Sequence, residues 1–234
     1  MQRRLWIAAA MAVGTLIAAG GASAKEPVRL TKPASAAAFP RIAAPLTPAT
    51  AKINAALARL DHRWSAFVRE CKAGGKDNSA DRSVAVTMAG PRFLSVVARD
   101  EESCGGAHPD TSTLALVYDL DAGRPVDWKA LLGPKLVAET STDTVIDGST
   151  IGIVSSPALR ALYGRGTRDR DCYDATVDPG LHFVAWLNAW RRAVMVEPVL
   201  PHVVAACGGE TAVDLGELGR SGADPALIAA LAGG

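Results

Sequence analysis

The sequence carries almost no charge imbalance, with 25 basic and 24 acidic residues in 234. That balance removes the electrostatic case for a nucleic-acid binder or for a protein drawn as a whole to anionic lipid. Histidine is scarce: His62, His108, His182 and His202 stand in neither H-E-x-x-H nor H-x-H spacing, so no metal site is written into the chain. No C-x-x-C occurs among the cysteines, which argues against a zinc ribbon and against a thioredoxin-like redox pair. No G-x-S-x-G elbow appears, and Gly148-Ser149-Thr150 does not match one, which excludes that hydrolase signature. Asp169, Asp171, Asp174 and Asp178 form a charged loop without the glycine and terminal glutamate a calcium loop needs. We therefore expect no cofactor, no metal and no catalytic residue. Beyond residue 24 no segment is long and apolar enough to cross a membrane.

What is present begins with an address. Arg3 and Arg4 precede an apolar run from Leu5 to Ala19 and then Ala22-Ser23-Ala24, the small-x-small pattern cleaved by signal peptidase. The run is shorter than the roughly 20 residues a spanning helix requires. Cleavage after Ala24 would leave a periplasmic or secreted protein with 23 basic and 24 acidic residues. In such a compartment Cys71, Cys104, Cys172 and Cys207 read as two disulfides. Of the three possible pairings we favour Cys71 with Cys104 and Cys172 with Cys207, each closing a loop of about 35 residues between neighbouring elements.

Residues 25–37, rich in Pro and Ala, read as a flexible leader. Residues 38–218 read as one α+β domain, and residues 219–234 as a C-terminal tail with a loosely packed helix. Thr47-Pro48 is a hydroxyl cap followed by a first-turn proline. Ile53, Leu57, Leu60, Trp64, Phe67, Val68 and Cys71 then recur at helical steps until Gly74-Gly75. Two alternating runs, Val84 to Met88 and Phe93 to Ala98, flank Gly90-Pro91 and predict an antiparallel hairpin. Asp100, Glu101 and Glu102 read as a solvated acidic turn. The stretch from Cys104 to Trp128 organises the chain: a glycine corner leads to a strand with Leu114, Leu116 and Tyr118 on one face, then to a turn at Gly123. Asp127 caps a short helix ended by Gly133-Pro134, and Ser156-Pro157 starts another. Thr150 to Val154 is a candidate strand. Trp186 to Met195 has helical spacing, yet the valines around it favour strands.

The order of these pieces resembles a known family. Ile53-Asn54 in the first helix, Gly105-Gly106-Ala107-His108 before the central strand, Tyr118-Asp119-Leu120 and Gly123 are similar to the RsiV/PdaC-like extracytoplasmic domain. That domain is shared by lysozyme-sensing anti-sigma factors and PdaC-type peptidoglycan deacetylases. The resemblance implies an antiparallel sheet with helices packed on one face, here braced by disulfides, and a cell-envelope setting. In the anti-sigma factors the related domain recognises lysozyme. This chain has neither their membrane helix nor the deacetylase domain, so no catalytic residue carries over.

The binding candidates are the corner itself, Cys104, Gly105, Gly106, Ala107, His108 and Pro109, together with Trp128 and Trp190. Glycines let backbone approach a ligand closely, and His108 is the polar group among them. Trp128, Trp186 and Trp190 could form a glycan platform, against the competing expectation of core burial. Two functions follow. The first is a non-enzymatic envelope module that binds a protein such as a lysozyme, or a peptidoglycan fragment. The alternative is a small peptidoglycan hydrolase using Asp100, Glu101 or Glu102 with His108, which requires a carboxylate and the imidazole to converge on one cleft.

Overall fold

A computed structural model of the chain describes residues 26–106, 108–143, 151–166, 180–200, 204 and 207–233. Helix α1 (Pro48–Ala73) starts where the cap and proline place it. The Thr47 and Thr50 side chains each accept from the other's backbone N–H, completing a reciprocal cap. Its first half buries Ile53, Ala56, Leu57 and Leu60, whereas Trp64, Phe67 and Val68 in the second half are only half-buried.

Strands β1 (Ser79–Ala89), β2 (Phe93–Ser103), β3 (Asp110–Asp119) and β4 (Arg124–Pro125) form a four-stranded antiparallel meander. The β1–β2 turn closes where Gly90-Pro91 predicts it, and Gly90 N–H donates to the Phe93 carbonyl at 3.0 Å. The strands run further than the alternation suggests. Asp100, Glu101 and Glu102 are not a turn; they lie in β2, paired with Arg82, Asp81 and Ala80 of β1 and with Ser112, Thr111 and Asp110 of β3. Arg82 explains the difference. Its Nε and Nη2 donate to the two Asp100 carboxylate oxygens at 2.6 Å each, and its guanidinium lies 4.1 Å over the Trp64 ring. A cross-strand ion pair covered by an indole holds charged residues in a ladder they would otherwise end.

After α2 (Trp128–Leu132), capped by Asp127, a second antiparallel meander contains β5 (Glu139–Asp143), β6 (Ile151–Ser155), β7 (Phe183–Asn188), β8 (Ala193–Pro198) and β9 (Thr211–Asp214). Helix α3 (Pro157–Gly166) begins at Ser156, whose Oγ accepts from Leu159 N–H at 3.0 Å. The valines prevail over the helical spacing at Trp186 to Met195, giving β7 and β8 with a tight turn between them. The α+β expectation therefore stands, with the strands divided between two sheets.

The two sheets face each other through β3, which touches β6 and β7. This is why Leu114 to Tyr118 are all buried rather than alternately so. Ser95, fully buried, stitches the layers together: its Oγ accepts from Leu187 N–H of β7 at 3.1 Å and bonds Thr87 Oγ1 at 2.9 Å. Two further helices, α4 (Leu215–Ser221) and α5 (Pro225–Ala232), close the fold. Leu218, Leu227 and Leu231 are completely buried in the same core as both sheets, so the C-terminal helix is packed and not loose. At the other end Leu30 bridges Ile42, with Thr31 and Ala43 N–H groups donating to Arg41 and Arg29 carbonyls.

Candidate functional site

Strands β2 and β3 carry the glycine corner at their joint end. Ser79 pairs with Ser103 at the far end of β1–β2, one residue before Cys104. Cys104 forms a disulfide with Cys71 at the end of α1, with 4.9 Å between Cα atoms, so the favoured first pairing is present. Cys207 is also disulfide-bonded, and Cys172 lies outside the described residues. Gly105 has φ +96, a conformation open to glycine and strained for other residues. Cys104, Gly105, Gly106, His108 and Pro109 are exposed, and Ala107 lies outside the described residues.

Carboxylates crowd the approach to this corner. Glu102 is the register partner of Asp110 across β2–β3, and Asp100 lies two residues back on the same face. Partial burial, then the neighbouring Asp110 and Asp100 charges, hold the Glu102 carboxyl above its ordinary value. On the opposite face of β2 a cleft of about 510 Å³ opens toward the second sheet, bordered by Arg99, Glu101, Thr113, Val184, Glu197 and Val199. Arg99 forms ion pairs with Glu197 at 3.1 Å and with Glu210, and Thr113 Oγ1 donates to Glu197 Oε1 at 2.9 Å.

His108 is not among the residues bordering that cleft. Asp100 is held by Arg82, and because adjacent strand residues point to opposite faces Glu101 and Glu102 do not share one. Among the described residues no group of three His, Cys, Asp or Glu side chains could hold a metal ion. Nor is any described helix long and apolar enough to cross a membrane.

The tryptophans separate sharply. Trp128 and Trp186 are 3% and 2% exposed. A buried indole offers no face to a sugar, so neither can serve a glycan platform. Trp190 is 94% exposed at the β7–β8 turn. Arg82, Trp64, Arg99, Thr113 and Glu197 were not foreseen as a polar framework. The alternation of β2 alone, which sets Arg99 on the face of Val97 and Asp100 on that of Ala98, was the signal available for them.

No family model matches the sequence, and no curated relative matches it. Among solved structures the chain is similar to a DUF3298 family protein from Pseudomonas aeruginosa PAO1. The two share 13% identity and a TM-score of 0.45, over 70% of this chain and 71% of that one.

Proposed function

We propose that the chain is an exported, non-enzymatic binding module of the cell envelope that presents the Cys104–Pro109 corner to its partner. One observation carries this reading: an exposed loop is fixed at its base by a disulfide that joins the end of the long helix to the end of the longest hairpin. A loop tethered in this way loses little entropy on binding. The disulfide also suits the oxidising compartment to which cleavage after Ala24 would deliver the protein. The sequence resemblance to the RsiV/PdaC-like domains supplies the partner classes, a lysozyme-like protein or a peptidoglycan fragment. The acidic residues Glu101, Glu102 and Asp110 beside the corner favour a cationic protein of the first class.

The test is surface binding of oxidised protein to immobilised lysozyme and to soluble muropeptides, with His108→Ala and a charge-reversed Glu101→Lys/Glu102→Lys chain alongside. Saturable binding weakened by either change supports the corner as the site. A flat response to both ligands overturns the proposal. Peptidoglycan turnover lost in His108→Ala would instead favour the hydrolase reading.

A further inference from the structure

Residues Ala189 to Arg192 form a tip that the corner's function does not use. It is held rigidly. Asn188 Oδ1 accepts from Arg191 N–H at 2.9 Å, Arg192 N–H donates to the Ala189 carbonyl at 3.1 Å, and Ala189 N–H donates to the Thr87 carbonyl of β1 at 2.9 Å. Arg192 takes φ +52, a left-handed conformation uncommon outside glycine. On this braced turn the indole of Trp190 is 94% exposed and Arg191 and Arg192 are both exposed. Arg191 approaches Glu210 at a loose 3.9 Å, and Asp214 pairs across the ladder with Ala193, its own carboxylate engaged in capping α4. Val86, next to Thr87 on β1, is 42% exposed.

We propose that this tip is a peripheral attachment site for an anionic phospholipid surface, with Trp190 entering the headgroup boundary and Arg191 and Arg192 meeting phosphates. Three features choose that occupant. The partner must be anionic, because the two side chains that follow Trp190, Arg191 and Arg192, are cationic. The tip is convex and the ring is uncovered on both faces, whereas a sugar platform lays one face of its ring against the protein. Finally, an indole combines an apolar body with one N–H donor, the combination that settles at membrane interfaces. The balanced charge of the whole chain gives no long-range attraction, so attachment is local, weak and salt-sensitive.

The tip and the corner are separate places on the fold. Ala189 anchors the tip at Thr87, beside Ser95, and Ser95 is eight positions before Ser103 on β2, a rise of about 26 Å along the strand. The inference stands apart from the identity of the corner's partner and survives if that reading fails.

The experiment is sedimentation of the protein, purified from the exported fraction with its N-terminus fixed by mass spectrometry, with vesicles of phosphatidylglycerol and phosphatidylethanolamine at 3:7. Pure phosphatidylcholine vesicles and purified peptidoglycan sacculi run in parallel. Partition into the anionic vesicles should fall about ten-fold in Trp190→Ala and about five-fold for each of Arg191→Ala and Arg192→Ala. It should also fall in 0.5 M salt. Far-UV circular dichroism confirms the fold of each variant. Wild-type protein that stays in the supernatant, or equal partition of wild type and Trp190→Ala, overturns the proposal. Retention on sacculi that needs Trp190 without vesicle binding assigns the tip to a glycan and overturns it too.

Discussion

Gly123 offers a test in which two physical causes can be separated. It closes the turn after β3 with φ +65, donating its N–H to the Asp119 carbonyl at 2.8 Å while Asp119 Oδ1 accepts from Asp121 and Ala122. A Cβ added there would lie 2.6 Å from Ala49 Cα and 2.7 Å from its carbonyl oxygen, in the first turn of α1. Gly222 has φ +80 with nothing within 4 Å of an added Cβ, and Gly209 has neither a left-handed φ nor a close neighbour. Alanine at Gly222 should therefore cost only the left-handed penalty, about 1 kcal/mol. At Gly123 the overpacking of α1 adds about 2 kcal/mol, for a total of about 3. At Gly209 the change should stay within about 0.5 kcal/mol. With a urea m-value of about 2 kcal/mol/M, the unfolding midpoint falls by about 1.5 M, 0.5 M and less than 0.25 M respectively. Equal midpoints for Gly123→Ala and Gly222→Ala would refute the close approach of the turn to α1.

Replacing Cys71 and Cys104 together by serine should cost up to about 4 kcal/mol, from the chain entropy released across a separation of 33 residues, read as a urea midpoint against the oxidised parent. Ser95→Ala leaves the buried Leu187 N–H without its partner, while the half-buried Thr87 hydroxyl keeps the Ser95 carbonyl at 3.3 Å; unfolding should report a loss of about 1–3 kcal/mol. Glu102→Gln tests the crowded carboxylates. The folded carboxyl is raised above 4.5, so the native state binds that proton more tightly than the unfolded chain and Glu102 loses stability as pH rises through the window just above 4.5. The variant should match the parent below that window and exceed it at pH 7, and a variant less stable than the parent at pH 7 would contradict the assignment.

The outer shape of the fold was readable because local chemistry and tertiary context agree there. Thr47-Pro48, Asp127, Gly90-Pro91 and Ser156-Pro157 mark their elements wherever the rest of the chain goes, since caps and turns are satisfied by neighbours in sequence. Disagreement appears where a distant partner supplies the energy. Asp100 to Glu102 look like a loop until Arg82 and Trp64 provide a cross-strand ion pair and a cover. The division into two sheets escapes a linear reading for the same reason. Leu114, Leu116 and Tyr118 announce one buried face of β3, but Ala115 and Val117 on the other are too small and too generic to announce a second sheet.

The candidate site divides along the same line. A glycine corner between two strands is a local signal, and its position at the end of the hairpin followed from it. Exposure is a global property, and sequence treats Trp128, Trp186 and Trp190 as one aromatic set. Two of those rings are buried in the core, while the third is lifted off the surface by a turn whose hydrogen bonds reach β1. That contrast makes Trp190 informative. A tip that positions a large apolar ring in water forgoes burial worth about 2 kcal/mol or more. The N–H groups of Ala189, Arg191 and Arg192 are all hydrogen-bonded, so the exposure is not the by-product of a loose loop. The same rigidity makes the substitution decisive: Trp190→Ala removes surface and almost nothing from the interior, so a change in attachment without a change in unfolding midpoint can be read as recognition alone.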